Sequence, residues 1–410
     1  MTLIINMLIM VGCGNKGASQ NTGAKETQLP AGKEIKLVIT ADYKGDAIEK
    51  AVAEFQKKSG IKVKIDKLPY LNLMDKLTVS FASGNPDYDV AMIDEPWIAG
   101  LAPYLLPLNE LFEKDKLDLN QYLPTALNAG KINGKYMVMP LDPNVMMVWY
   151  RKDLFEAKGL KQPQNLNDLL EAAKKLHDPQ GGVAGLSIVG KKDVQLSTYA
   201  ILFLWNEGGE VITQDGKFGF DSAAGVKALE TYKNVIKYAP SGVLGYAVAE
   251  TLDAFYNGKA AMVFYWASIG PNATNPEKSK VADKVGWLAI PNAMRGVWTL
   301  GIAKESKDKE AAWELIKWLT GPEGSLLYTQ YGGGHSPRYD VLRNPDFKKK
   351  YPWAEELIKA LEQSKARPQT PQWNAIATCI IDMVSSAISG QKSPEAAIKE
   401  AAAQVQPYLK

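Results

Sequence analysis

Apolar positions alternate and then run together between Glu34 and Thr40 (Ile35, Leu37, Val38, Ile39), the pattern of a β-strand. Asp46 to Ser59 places Ala47, Ile48, Ala51, Val52 and Phe55 at helical spacing. Gly60 then stops that helix, and Ile61, Val63 and Ile65 alternate as a second strand. Strand, helix and strand in this order predict a βαβ unit and hence a parallel sheet. Met74 to Ala82 predicts a further helix, and Tyr88 to Ile93 a buried strand that ends at Asp94.

The middle of the chain repeats this style. Met137 to Asn144, with Pro140 and Pro143, leads into the apolar strand Val145 to Tyr150, and a crossing from one domain to another is expected there. Leu166 to Leu176 reads as a helix, Gly185 to Val189 as a strand, and Leu196 to Trp205 as an apolar helix. Asp221 to Tyr238 is amphipathic, and Ala260 to Tyr265 is another buried strand. Val285 to Ile290 and Trp298 to Ala303 read as strands returning to the first sheet, and from Lys309 onward the pattern is almost entirely helical. At 410 residues the chain exceeds what one hydrophobic core usually organises, so two packed domains are the default.

The first residues carry a different signal. Leu3 to Val11 is apolar but too short to span a bilayer, and it fits the apolar region of a secretory signal. Gly12 directly before Cys13 resembles a bacterial lipobox, with Met10 where leucine is usual. The expectation is a signal peptide over 1–12, lipidation of Cys13, and a flexible tether over 13–32 made of small polar residues. Cys379 would then be the sole thiol, most simply a small buried hydrophobe, and no intramolecular disulfide is expected.

Composition narrows the function classes. Forty-eight Lys and Arg against 45 Asp and Glu leave a formal charge of +3 without long basic runs, so the electrostatic footprint of a nucleic-acid binder is missing. With two histidines and no cysteine pair, a zinc site is not expected, and no Gly-x-Ser-x-Gly elbow hosts a serine nucleophile. No catalytic residue, metal or cofactor is therefore assigned. Gly332 to Arg338 (GGGHSPR) lacks the spacing and ending of a phosphate loop. The 10 Trp and 18 Tyr matter more, because each offers a flat apolar face together with a polar edge.

Several segments together resemble the family 1 extracellular solute-binding proteins of ABC importers, the maltose-binding-protein-like carbohydrate and polyol group. They are Asp94 to Trp97 (DEPW), Pro140 to Phe155 (PLDPNVMMVWYRKDLF), Phe255 to Trp266 (FYNGKAAMVFYW), Trp298 to Gly324, and Ala366 to Val405, occurring in the family's order. The resemblance implies an α/β fold of two lobes, the type II periplasmic-binding-protein-like arrangement, each lobe a mixed sheet flanked by helices with a hinge between them. Lobe 1 is expected over 33–141 plus 285–312, and lobe 2 over 142–284 plus 313–410. It also implies a carbohydrate ligand (sugar, oligosaccharide or polyol) held in the interlobe cleft and delivered to the transmembrane permease of an ABC importer. A monomer outside the cytoplasm is expected, attached to the membrane only through the lipid.

A sugar presents an apolar C–H face and a rim of hydroxyls, so its receptor needs aromatic planes and fixed polar partners. Asp42 and Tyr43 follow the first strand, and Asp94, Glu95 and Trp97 follow a buried strand in a turn from which the family commonly draws an acidic ligand contact. Asp142 and Asn144 bracket Pro143 at the crossing, Trp266 ends a buried strand, and Trp298 after Arg295-Gly296-Val297 resembles the family's Gly-Gly-Trp turn. His335 and Arg338 belong to a loop that resembles a cleft loop of the family, and Arg367 and Trp373 flank a Pro-containing turn in a region where relatives place cleft residues. The plain alternatives are helix capping for Asp94 or Glu95, a surface turn for Asp42 and Tyr43, backbone turns for Asp142 and Asn144, interlobe packing for Trp266 and Trp298, and a structural ion pair for Arg338. Two competing functions stay open. One is a secreted glycoside-acting enzyme; the other is a binding protein for an anionic sugar derivative, a polyamine or a peptide, for which His335, Arg338 and Arg367 leave room.

Overall fold

The computed structural model describes residues 32–409, so the expected signal segment, Cys13 and nearly all of the tether lie outside the described residues. The expected βαβ unit is present. Strand β1 (Glu34–Thr40) alternates and then is wholly buried, and helix α1 (Tyr43–Ser59) follows it. Asp42 caps α1 by accepting the backbone N–H groups of Lys44 and Gly45, which satisfies two of the four free donors of its first turn. The helix ends at Gly60 with φ of 70°, a left-handed conformation that costs a residue without Cβ little. Strand β2 (Lys62–Leu68) then pairs with β1 in parallel from Glu34↔Lys62. Helix α2 (Tyr70–Ala82) leads to β3 (Val90–Asp94), which is parallel to β1 on its other side.

Five more strands complete the sheets of the two lobes, apart from a short hairpin of Lys131–Ile132 with Lys135–Tyr136: β4 (Met139–Arg151), β5 (Met262–Trp266), β6 (Val285–Leu288), β7 (Met294–Ile302) and β8 (Lys365–Ala366). β4 joins the two lobes. Residues Met139 to Val145 pair with β7, which also pairs with β3, so the first lobe's sheet runs β2-β1-β3-β7-β4. From Met146 onward β4 exchanges β7 for β5 and β6, and this second half is the centre of the second lobe's sheet. Bridges of Ala184 to Ala260 and of Ser187 to Val263 stand where the strand Gly185 to Val189 was expected. β8 pairs in parallel with the start of β7 and thereby brings the following turn to the junction of the lobes.

The core of lobe 1 is the face of β1 and β3 covered by Ala47, Ile48, Ala51, Val52 and Phe55 of α1 and by Ala311, Ala312, Leu315 and Ile316 of the helix Lys309–Leu319. Burial of each large aliphatic side chain of this set contributes about 1.5–3 kcal/mol. Two placements differ from the sequence reading. β6 belongs to the second sheet, pairing Val148↔Leu288 through Arg151↔Val285, and the helices Lys309–Leu319 and Pro322–Gln330 pack on α1 in the first lobe. An apolar run marks a strand buried on both faces, but both sheets offer that environment, so the run does not say which sheet receives it.

Candidate ligand-binding cleft

The cleft lies where the strands end between the lobes, with a volume of about 590 Å³. Open α/β sheets place ligands at such strand ends, and the size falls within the range of small-molecule sites. From the first lobe and the crossings come Asp42, Tyr43, Lys44, Tyr70, Asp94, Asn144, Trp298 and Arg367. The second lobe supplies Gln195 and Thr198 from the helix Val194–Asn206, Tyr256, Tyr265, Trp266, Ser268 and Asn272. Of the sequence-predicted residues, Asp42, Tyr43, Asp94, Asn144, Trp266, Trp298 and Arg367 thus come together around one space.

Asp94 is 2% exposed and its carboxylate is filled. Oδ1 accepts from Arg367 at 2.9 Å and from the Glu95 backbone N–H at 2.9 Å, and Oδ2 accepts from the Tyr70 hydroxyl at 2.9 Å. Arg367 also answers to the Tyr70 and Glu95 oxygens; burial disfavours its charge, but Asp94 and these groups raise its pKa, so it stays a guanidinium. Asp42 is part of a second compensated pair, accepting from Lys44 Nζ at 2.6 Å and from the Thr40 hydroxyl at 2.8 Å. Asp42 thus both caps α1 and lines the cleft. Asn144 spends its Oδ1 on the Val145 N–H, leaving its amide N–H groups for a ligand.

The aromatic planes are fixed from behind. Trp298 meets Trp97 edge-on at 5.8 Å and Tyr70 edge-on at 5.9 Å, and Trp266 is held by a 3.2 Å bond from Nε1 to Gln195. Gly296 lies between Trp266 and Arg367, and a Cβ there would approach the Arg367 guanidinium to 3.2 Å. Glycine keeps the floor of the cleft low at that point.

Six predicted residues fall outside the lining. Glu95 is 1% exposed, with Oε1 accepting from Arg295 and Oε2 from the Val297 N–H, so it ties the end of β3 to β7; burial raises its pKa against the pull of Arg295 and Arg367. Trp97 is buried, donates Nε1–H to Asn374 Oδ1 at 3.0 Å and packs behind Tyr70 and Trp298. Arg338 forms a two-bond ion pair with Asp340 and lies 4.9 Å over the Tyr122 ring. Trp373 is buried at the start of the helix Trp373–Ile388, 6.0 Å from Arg367. Asp142 and His335 stand together: the His335 backbone N–H donates to Asp142 Oδ1 at 3.0 Å, and His335 Nε2 accepts from Trp353 Nε1 at 3.2 Å. Burial raises the Asp142 carboxyl to about 7 and lowers the His335 imidazole to about 4.

The loop that brings His335 to Asp142 contains Gly334 at φ of 153°, where a Cβ would stand 2.3 Å from Asp142 Oδ1. Gly334→Ala combines backbone strain with a clash against a buried carboxyl and is expected to cost about 2–4 kcal/mol of stability. Urea denaturation checks this, and an unchanged midpoint would contradict the geometry.

Sequence reasoning missed Lys44, Tyr70, Gln195, Thr198, Tyr256, Tyr265, Ser268 and Asn272. Tyr256 and Tyr265 lie inside the segment FYNGKAAMVFYW, and Lys44 adjoins the turn already singled out, so proximity was the available signal. Cys379 is half-buried rather than fully buried on its helix, with its pKa raised by burial. Among the described residues there is no cluster of three or more potential metal ligands and no helix long and apolar enough to cross a membrane.

The sequence profile of the bacterial extracellular solute-binding proteins matches residues 41–325. A probable amino-acid ABC transporter periplasmic-binding protein of Sinorhizobium fredii is 25% identical over 405 residues, covering 96% of this chain and 93% of its own. Among solved structures, an ABC transporter solute-binding protein from Agrobacterium radiobacter in complex with ribitol superposes with a TM-score of 0.84 at 28% identity, covering 92% of this chain and 99% of that one. Maltose-bound MalE3 of T. maritima gives a TM-score of 0.80 at 28% identity, with the same coverage of 92% and 99%. The two-lobed α/β architecture expected from sequence is the fold of these proteins.

Proposed function

Since the chain belongs to the bacterial extracellular solute-binding proteins, a family of binding proteins and not of enzymes, we propose that it captures an uncharged carbohydrate, a sugar or polyol, between its lobes and hands it to the permease of an ABC importer. The observation that carries this reading is the cleft itself. It joins ring faces of Trp266, Trp298 and four tyrosines to a rim of hydroxyl, amide and carboxylate groups, with every charge on it already matched. Rings suit the C–H face of a sugar, and the polar rim suits its hydroxyls. Ribitol and maltose in the two structural relatives are ligands of that chemistry.

The paired charges also weigh between the alternatives. For an anionic sugar derivative His335, Arg338 and Arg367 would be the partners, but the first two are not among the lining residues and Arg367 is paired with Asp94. An amino acid, which the name of the S. fredii relative suggests for that protein, would need unmatched groups of both signs for its ammonium and carboxylate. Closure of the lobes around ligand would be the signal to the permease, through differential affinity for the closed state. Tethering through a lipid on Cys13 and action as a monomer belong to the same proposal.

A thermal-shift screen over polyols, mono- and disaccharides, sulfated and phosphorylated sugars, amino acids and polyamines tests it. Ligand binding to the native state raises the melting temperature by mass action. The expected result is a shift with one or more neutral carbohydrates and none with charged compounds; a shift confined to amino acids, polyamines or anionic sugars would refute the reading.

A further inference from the structure

Tyr43, Tyr70, Tyr256, Tyr265, Trp266 and Trp298 face the cleft, and two carboxylates, Asp42 and Asp94, stand among them. Aromatic faces beside carboxylates form a receptor for an organic cation, because the ring quadrupole and the anion attract the same positive charge. In this chain both carboxylates are occupied from within. Arg367 meets Asp94 at 2.9 Å, and Lys44 meets Asp42 at 2.6 Å.

Lys44 does more than neutralise. Its Nζ stands 4.3 Å from the centroid of the Tyr43 ring and 5.2 Å from that of Trp298, and its side chain is 10% exposed. The ammonium thus sits between two aromatic faces and against a carboxylate, in the place where the head of an alkylammonium ligand would sit. Burial opposes its charge, but Tyr43, Asp42 and Asp142 outweigh burial and raise its pKa above the ordinary value. It remains protonated.

We propose that Lys44 is a specificity-determining residue that closes the cleft to organic cations, acting as a tethered ammonium that fills the cage formed by Tyr43, Trp298 and Asp42. The inference rests on the carbohydrate reading of the cleft and adds which ligands it rejects, and by what means. An incoming cation has to expel Lys44 from its carboxylate and rings, or share the space with a like charge, and either route is unfavourable. A neutral polyol meets no such conflict. One N–H of the ammonium is spent on Asp42, and the others are donors for ligand hydroxyls. The same residue therefore serves the wanted ligand and excludes the unwanted one.

Removing the ammonium while keeping Asp42 leaves an empty cage. Lys44→Ala and Lys44→Ser vacate that space and leave the cap of α1 intact, because that cap uses the Lys44 backbone N–H. Choline and putrescine are titrated by calorimetry into the wild type and both variants, with ribitol and maltose as neutral references and a cooperative thermal melt as the check of folding. The wild type is expected to show no saturable binding of either cation. Either folded variant is expected to bind at least one of them with an affinity about tenfold or more above that of the wild type, and to bind the neutral ligand more weakly. Folded variants that gain no cation affinity would overturn the inference, as would a wild type that binds choline or putrescine as tightly as the variants do. This outcome is separable from the carbohydrate reading, which the wild type decides alone with neutral ligands.

Discussion

Trp298→Ala is expected to lower the affinity for a bound sugar or polyol about a hundredfold, equivalent to about 2.7 kcal/mol. The size of the effect follows from how the ring is held. Trp298 is on β7 opposite both Asp94 of β3 and Asp142 of β4, at the centre of the first lobe's edge of the cleft. Edge-on contacts with Trp97 at 5.8 Å and Tyr70 at 5.9 Å fix the plane of its ring before ligand arrives, so little rotamer entropy is lost on stacking. Trp298→Phe keeps a plane and should lose much less. Calorimetric titration of the two variants measures the difference, with a thermal melt to confirm the fold. An alanine variant that binds within threefold of the wild type would place the stacking face elsewhere.

The second large effect concerns two buried groups, the Asp142 carboxyl and the His335 imidazole, whose residues are joined through the His335 backbone N–H. Asp142 rises from its ordinary 3.8 to about 7, chiefly through burial, against the backbone N–H of His335, the Lys44 ammonium and Tyr328, and with added repulsion from Asp42. His335 falls from 6.5 to about 4 through burial. A raised carboxyl binds its proton more tightly in the folded state, so its share of stability is complete below about pH 4 and is lost as pH climbs to about 7. A lowered imidazole works in the opposite sense: its share is complete above about pH 6.5 and is lost as pH falls to about 4. Between these limits the two slopes nearly cancel in the native protein.

Single substitutions separate them. Relative to the wild type, Asp142→Asn should gain stability as pH is raised from 4 to 7, by up to about 4 kcal/mol. His335→Gln, whose side-chain oxygen can still accept from Trp353, should instead gain stability relative to the wild type as pH is lowered from 6.5 to 4, by about 3 kcal/mol. Denaturation across this range reads both. Differences that stay flat with pH would show that neither group titrates as its burial requires. Asp142 Oδ2 and His335 Nδ1 lack hydrogen-bond partners among the described residues, which is why both groups favour their neutral forms.

Much of this fold was legible because local pattern and global role agree in it. The alternation of Ile35 to Ile39, the helical spacing of Ala47 to Phe55 and the stop at Gly60 each specify one outcome, and the structure has β1, α1 and β2 there. Val285 to Leu288 was legible as a strand but not as a member of lobe 2, since its apolar run suits either buried sheet. The cleft shows the same division. Asp42, Asp94, Trp266 and Trp298, which line the cleft, stand at or next to the ends of the strands that the apolar pattern predicts. Glu95 and Trp97 share the turn with Asp94 but face the core, and a three-residue 3₁₀ turn with proline within it gives no periodicity from which facing could be inferred. Gln195, Thr198 and Tyr70 enter the cleft from helices whose apolar faces dominate their sequence signal. Only the packing of two lobes against each other makes their outer turns into a wall.

The central claim is that a neutral carbohydrate binds between the lobes, and calorimetric titration of the folded chain with ribitol, mannitol and maltose, repeated with Trp298→Ala, tests it most directly. The expected result is saturable binding of at least one of these at one site per chain, lost or weakened about a hundredfold in the variant. Absence of binding for all three, or equal affinity in the wild type and the variant, would contradict the claim.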